Sequence, residues 1–500
     1  MGEHMLSNPS RKWCAFIGIA LLSFGAYLDY TVVNIALPVI QIELKTDLNS
    51  LQWVMNIYFL ALCVLATIMG RCGDLYGRRR LFYMGAAVFG LASILAGLAP
   101  NIHWLIAGRL LQGVGAAIVF PLGPSLLPES FPEHERAKAI AWLGGLGGVA
   151  LAAGPVLGGL IVASWGWRWI FFINVPLMLL GYVFCAGSVK ESAVSVAHKS
   201  LDWRGAFILA VTMSGIVLSL IRSADTGWSD AVTLMLLGLG IAAGVVLVIV
   251  ERHQQDPLID FKDFSNPLFF AGAALGFLSG VLSAVTLFFD PLYLQIIRSQ
   301  SPQVSGLILF AIPVTGVLVA LLVGWFIRCF GAINTIIIGI LAGIVATLLH
   351  AGFAATSSLM LVVVAFICLG VMWAMGNTVA IIATQTAVGA ARASVATATN
   401  VTMFNIGGSV GLAIAVVIYH AIGVRAIQNT GGGEVLNQLI ANPANFLKIQ
   451  TNALTQKLFS AGFMQGFAAV MWFLLITSSA ILLAIFIGKM AAKRDKVYVS

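Results

Sequence analysis

The chain has 500 residues, 60% of them hydrophobic and only 9% charged, with a mean hydropathy of +0.99 and a formal net charge of +8. A soluble domain carries about a quarter charged residues. The apolar excess here runs the whole length, which excludes a soluble enzyme with a single anchor and leaves an all-α polytopic membrane protein.

A short polar lead with Arg11 and Lys12 precedes the first apolar stretch, 13–36. No small-residue cleavage site follows it, so it reads as an uncleaved first helix. One acid, Asp29, interrupts it, among the small neighbours Gly25, Ala26, Val32 and Val33 at helical spacing. A carboxylate at the centre of a span costs about 2.5–3.5 kcal/mol on insertion scales, so it is rarely kept without use. The second stretch, 53–72, runs into "GRCGDLYGRRR" from Gly70 to Arg80, which also holds Asp74, Gly77 and Arg78. The third is 80–99. The fourth, 104–127, carries "RLLQG", with Arg109 and Gln112 one turn apart, and the fifth, 138–164, carries Gly154, Pro155, Gly158 and Gly159 in "GPVLGG". Proline removes a backbone donor there, and the glycines permit close approach of another helix.

A sixth stretch at 167–188 closes the first half. Two weaker stretches, 204–222 and 232–251, precede six more at 268–291, 303–326, 333–355, 358–386, 396–420 and 461–488. Fourteen spans put both termini on one side. With that side cytoplasmic, nineteen of the 27 Lys and Arg lie inside, seven lie outside, and Arg109 falls within a span. This inside excess absorbs the net charge, so no nucleic-acid partner is expected. Asp29 lies seven residues before the outer end of its helix, about 10 Å down at 1.5 Å per residue, and Arg109 lies about 8 Å down on its own helix. The two charges therefore share a depth.

The six cysteines lie in spans or beside their cytoplasmic ends without metal-ligand spacing, and the seven histidines are scattered, so neither a metal nor a cofactor is expected. No phosphate-binding Gly-Lys-Ser/Thr loop is present, which argues against an ATP-driven pump. Asp290, at the outer end of its span beside Pro291, reads as a helix-terminal acid, and His350 and His420 read as interfacial. The outer segment 421–460, with "NTGGGE" and an amphipathic stretch, suits a small surface helix or hairpin.

The spacing of Gly70, Asp74 and Gly77 returns as Gly324, Arg328 and Gly331, an offset of 254 residues, and the same offset carries Gly154 onto Gly408. A duplicated half of this kind is a mark of secondary transporters. It divides the chain into a six-helix bundle over 1–190, a linker with two additional helices over 191–265, and a second six-helix bundle over 266–500.

Several of these motifs carry a resemblance. "GRCGDLYGRRRLF", "LDYTVVNIALP", "RLLQG", "GPVLGG", "LYLQ" and "NVTMFNIGGSVG" together resemble the fourteen-helix drug:proton antiporter branch of the major facilitator superfamily, over nearly the whole chain. Cys72 departs from the aliphatic residue usual in the loop signature, and Ala150 replaces a glycine. The resemblance implies two six-helix bundles plus two extra helices, with helices 1 and 4 lining a central cavity. It implies a proton-coupled exporter of amphipathic, cationic small molecules in the inner (plasma) membrane, acting as a monomer on substrate and protons within the lipid bilayer. Asp29 and Arg109 are then expected at the coupling site, with Asp29, Gln112, Trp373 and Asn377 toward substrate. Gly70, Asp74, Gly77 and Arg78 form a gating latch, and Gly154, Pro155, Gly158 and Gly159 a helix-packing motif. The alternative on the same fold is a dedicated transporter of a single metabolite or siderophore, because fold does not fix function.

Overall fold

A computed structural model describes residues 9–189, 203–254, 257, 261–388, 393–424 and 453–497. All regular structure among them is helical. In chain order the α-helices are α1 (Pro9–Glu43), α2 (Leu48–Tyr76), α3 (Arg78–Gly97), α4 (Ile102–Ser130), α5 (Glu133–Trp165), the short α6 (Trp169–Phe172) and α7 (Asn174–Ala186). They continue with α8 (Trp203–Thr226), α9 (Ala231–His253), α10 (Pro267–Leu292), α11 (Pro302–Leu309), α12 (Ala311–Phe330), α13 (Ala332–Ala351), α14 (Leu359–Ala374), α15 (Ala380–Val388), α16 (Ala393–Tyr419) and α17 (Ala453–Val497). Three π-helical turns, Tyr293–Ile297, Met375–Val379 and His420–Val424, extend α10, α14 and α16.

Among the described residues thirteen helical segments are long and apolar enough to cross a membrane. The fourteenth expected span, 53–72, falls on the 29-residue α2, several of whose side chains lie outside the described residues. The outer segment reads partly differently from expectation. Residues 425–452 lie outside the described residues, while from Ala453 the chain is already in α17, which runs on as the last span.

Local chemistry sets the breaks. Asn101, Asp230, Ser301 and Ser358 each accept a backbone N–H with the side chain at a helix start, satisfying a donor the helix leaves free. Gly77 and Gly331 cap the starts of α3 and α13 with φ of 102° and 77°, a region that favours glycine. These two positions are the ones the 254-residue offset superimposes.

The chain forms two compact units. The first comprises Met1–Leu44, Trp53–Ala206 and Ser301–Phe310, so it includes α11. Within it α1 packs on α4, α5 and α7, α3 packs on α4 and α7, and α5 packs on α11. Close approach is what small residues allow here: a Cβ at Gly115 of α4 would strike the backbone of Phe89 and Gly85 on α3. That contact brings the buried face of α3 against α4.

The second unit comprises Lys45–Gln52, Phe207–Gln300 and Ala311–Ser500. Within it α10 packs on α13, α15, α16 and α17, and α13 and α12 pack on α14. Tyr293, Phe353 and Phe467 stack on one another with ring centroids 5.2–6.2 Å apart. On α9 the side chains of Leu234, Met235, Leu239, Ile241, Val245 and Ile249 are exposed. An apolar face of that extent suits a lipid solvent, since water would penalise it.

Candidate functional site

Asp29 lies on α1 in the first unit and is 0% exposed. Arg109 on α4 meets it across the bundle, with Nη1 donating to Oδ2 at 2.5 Å. The other oxygen, Oδ1, accepts from Gln112 Nε2 at 3.1 Å and from Asn174 Nδ2 at 3.0 Å. Gln112 also accepts from Arg109 Nη1 at 2.9 Å and donates to Ser93 Oγ at 2.8 Å, and Ser93 donates to the Phe89 carbonyl at 2.8 Å. Arg109 Nε donates to the Val54 carbonyl of α2 at 3.0 Å, and its guanidinium lies 4.3 Å from the Tyr58 ring centroid. Every one of these side chains is buried.

Three side chains aim N–H groups at two carboxyl oxygens, and an ionised carboxylate is the acceptor-only form that takes them all. The cation is held on three sides as well, by a carboxylate, an amide oxygen and a backbone carbonyl, with an aromatic face beside it. The two charges therefore pair inside the unit, while Asn174 Oδ1 has no hydrogen-bond partner among the described residues.

Five helices supply this network, and the sequence singled out residues from only two of them. Ser93 on α3 and Asn174 at the start of α7 went unremarked, as did the Val54 carbonyl and the Tyr58 ring. Asn174 did carry a signal: it is the only amide or charged side chain in the stretch Trp169–Ala186. Ser93 carried none, since a lone serine satisfied by its own helix is common in membrane spans.

The other motif residues occupy separate places. Gly154 and Gly158 of α5 abut α1 at Thr31 and Val32, so that the helix carrying Asp29 is pressed from its other side. Gly159 abuts Pro302 and Gln303, and the Pro155 carbonyl abuts Gly306 of α11. Arg78 donates to the Ser125 carbonyl near the end of α4 at 3.3 Å, and Gly70 faces Pro121. The side chain of Asp74 lies outside the described residues. In the second unit Trp373 is buried with no hydrogen-bond partner for Nε1 among the described residues, and the exposed Asn377 of the π-helical turn donates to the Trp373 carbonyl at 3.0 Å.

Comparison with known proteins bears on this geometry. Residues 19–412 match the family model described as Major Facilitator Superfamily. The chain is 33% identical to "Multidrug resistance protein Stp" of Mycobacterium tuberculosis, over 80% of this chain and 74% of that one. It is 34% identical to the "Tetracenomycin C resistance and export protein" of Streptomyces glaucescens, over 66% of this chain and 62% of that one, so the match spans less than two thirds of that relative. It is 29% identical to "Riboflavin transporter RibZ" of Clostridioides difficile, over 65% and 70%. Among solved structures, an inward-facing bacterial homologue of the human lysosomal transporter Spinster aligns over 96% of this chain and 98% of that one, with a TM-score of 0.68 at 16% identity. At that identity the likeness speaks for the fold alone.

Proposed function

The chain belongs to the Major Facilitator Superfamily, a family of membrane transporters and not of enzymes, and from that premise we propose that it exports amphipathic, cationic small molecules in exchange for protons. The observation that carries this reading is Asp29, a fully buried carboxylate whose two oxygens accept from Arg109, Gln112 and Asn174.

Protonating Asp29 would place a hydrogen where a donor already points and remove the charge that Arg109 pairs with. A buried guanidinium deprived of its partner costs about 3–5 kcal/mol, so the network has to rearrange when the proton arrives. Proton binding and helix position are thereby linked, which is the requirement for coupling. In the rearranged state a cationic substrate competes for the carboxylate once Arg109 has moved aside. Gln112, Trp373 and Asn377 are assigned to substrate contact. Gly70, Asp74, Gly77 and Arg78 act as the latch on the cytoplasmic side, and "GPVLGG" governs how closely α5 approaches α1. The protein acts as a monomer of fourteen spans in the inner (plasma) membrane, with both termini cytoplasmic.

A second reading is a dedicated transporter of a single metabolite. It is favoured by the relative named as a riboflavin transporter, which matches over a share of the chain similar to the tetracenomycin exporter's.

The test uses inside-out vesicles with an acidified lumen and a panel of lipophilic cations that includes tetraphenylphosphonium, followed by organic anions and riboflavin. Collapse of the pH gradient by several cations is expected, with its loss in Asp29→Asn and in Asp29→Asn/Arg109→Gln, which leaves no unpaired charge. Collapse by one compound only would transfer the assignment to the dedicated transporter. Collapse that survives both variants would remove Asp29 from coupling.

A further inference from the structure

The second unit contains a buried acid that the exchange scheme leaves unused. Asp290 on α10 and His350 on α13 have side chains 0% and 1% exposed. Position in the sequence suggested a helix-terminal acid and an interfacial imidazole. The structure corrects both: α10 passes at Leu292 directly into the π-helical turn, so Asp290 lies inside a continuous helical run. The His350 ring is enclosed between Phe353 and Phe366, with centroids 4.6 and 5.5 Å away.

Counting hydrogens on the pair is informative. His350 Nδ1 lies 2.7 Å from the Ala346 carbonyl oxygen. A carbonyl only accepts, so Nδ1 carries a hydrogen and Nε2 is left to face Asp290. Nε2 and Oδ2 stand 3.5 Å apart, and neither they nor Oδ1 has a hydrogen-bond partner among the described residues. Without a further proton, a lone pair faces a carboxylate in an apolar enclosure, which is repulsive and uncompensated. With one proton the pair is neutral overall and attractive, whichever atom carries it. A second proton leaves an unbalanced positive charge. Each element packed here presents an identifiable group: α13 presents His350, α14 presents Phe366, α16 presents Tyr419 against Phe289, and α17 presents Phe467 against Tyr293. After Asp290 the chain adds Tyr293, whose hydroxyl donates to the Ala354 carbonyl at 2.8 Å and accepts from Arg298 at 3.4 Å.

The helix is loosened beside the acid. Pro291 cannot supply the helical hydrogen bond to the carbonyl four residues back, and a π-helical turn follows within two residues.

We propose that Asp290 and His350 form a second proton-binding site, holding one shared proton while enclosed and releasing it to water when α10 bends at Pro291. On release the O–H or N–H bond breaks, the proton leaves as hydronium, and an aspartate carboxylate and a neutral imidazole remain. Its place as a step in substrate exchange rests on the antiport reading; its proton binding does not.

Two measurements on the full chain in liposomes test this separately. The first is 15N NMR of histidine-labelled protein between about pH 5 and pH 9, the range in which imidazole chemistry is read. The His350 Nε2 resonance, identified by its absence in His350→Gln, is expected to move with pH, and the same movement is expected to be absent in Asp290→Asn. A resonance that stays fixed across the range overturns the site. The second compares tetraphenylphosphonium counterflow with pH-driven uptake in Asp290→Asn. Counterflow within twofold of the parent with pH-driven uptake down about tenfold supports a coupling role, a tenfold ratio being about 1.4 kcal/mol. Equal loss of both makes the pair a structural contact and overturns that role. A parent protein that ignores the pH gradient defeats the antiport reading, while the NMR measurement still decides the proton site.

Discussion

Each unit buries a carboxylate, but the two are held by opposite means. Asp29 is surrounded by donors: a guanidinium and two amides satisfy both of its oxygens, and Arg109 and Gln112 are themselves held by further polar groups. Asp290 faces a single imidazole at 3.5 Å inside an aromatic enclosure, with its oxygens otherwise without partners among the described residues. The first arrangement stabilises a charge in place, and any change of protonation breaks several bonds together. The second depends on one proton and is indifferent to which atom carries it. Carrying the 254-residue offset to Asp29 and Arg109 gives Ser283 and Val363, so Asp290 is no inherited copy of Asp29. The two halves share helix geometry and differ in the chemistry placed on it.

The largest expected effect separates the two carboxylates directly. Arg109→Ala removes the cation from the buried Asp29 and leaves its carboxyl to Gln112 and Asn174, and is expected to cost about 3–5 kcal/mol, read as a large fall in the detergent unfolding midpoint. His350→Ala is expected to cost clearly less, because Asp290 neutralises itself by keeping the proton. Equal costs would erase the distinction drawn between the sites.

Next in size is Asn174→Ala, which removes one charge-assisted hydrogen bond to Asp29 and is expected to cost about 1.5–3 kcal/mol by the same measurement. A neutral result would mean that Gln112 alone satisfies Oδ1. Comparable in size are Gly154→Val and Gly407→Val, whose side chains would strike Thr31 on α1 and the Phe277 backbone on α10 respectively. Overpacking of this kind costs about 1–3 kcal/mol. Similar losses at both positions, measured side by side, would sharpen the view that the two units share helix packing while differing in charge.

The smallest effect lies at the α8–α9 corner. Asp230 accepts from Arg222 Nε at 2.8 Å and from the Thr233 backbone, which together hold its pKa down to about 2. A folded-state pKa below the unfolded one contributes stability above the unfolded value, and that contribution is lost as pH falls toward about 2. Arg222→Gln should therefore flatten the stability profile between about pH 4 and pH 2, lowering stability slightly at neutral pH and leaving it unchanged at the acid end, with a small amplitude because the pair is solvated. A profile as steep as the parent's between about pH 4 and pH 2 would show that Arg222 does not hold the Asp230 carboxyl down.

Much of the architecture could be read along the chain. Apolar length locates most of the spans, because lipid forces each crossing to be a continuous helix. The offset between Gly70, Gly77 and their second copies marks the two helix starts that the structure shows with positive φ at Gly77 and Gly331. Counting residues from the helix ends set Asp29 and Arg109 at one depth, and the structure pairs them. The same counting failed for Asp290, because sequence distance from a proline suggested a helix end where a π-helical turn carries the helix onward.

The sequence by itself thus determined which segments are apolar and long enough to cross a membrane, and that a carboxylate stands inside the first of them. Only the tertiary structure decided what holds that carboxylate. Ser93, Val54, Arg109 and Asn174 lie on four different helices, and whether their atoms meet depends on interhelical distances of a few tenths of an ångström, set by contacts such as Gly115 against α3. The pairing of Asp290 with His350, 60 positions apart, has the same origin. Helical periodicity reports which face of a helix is buried; the partner atom waiting on the facing helix is fixed by packing.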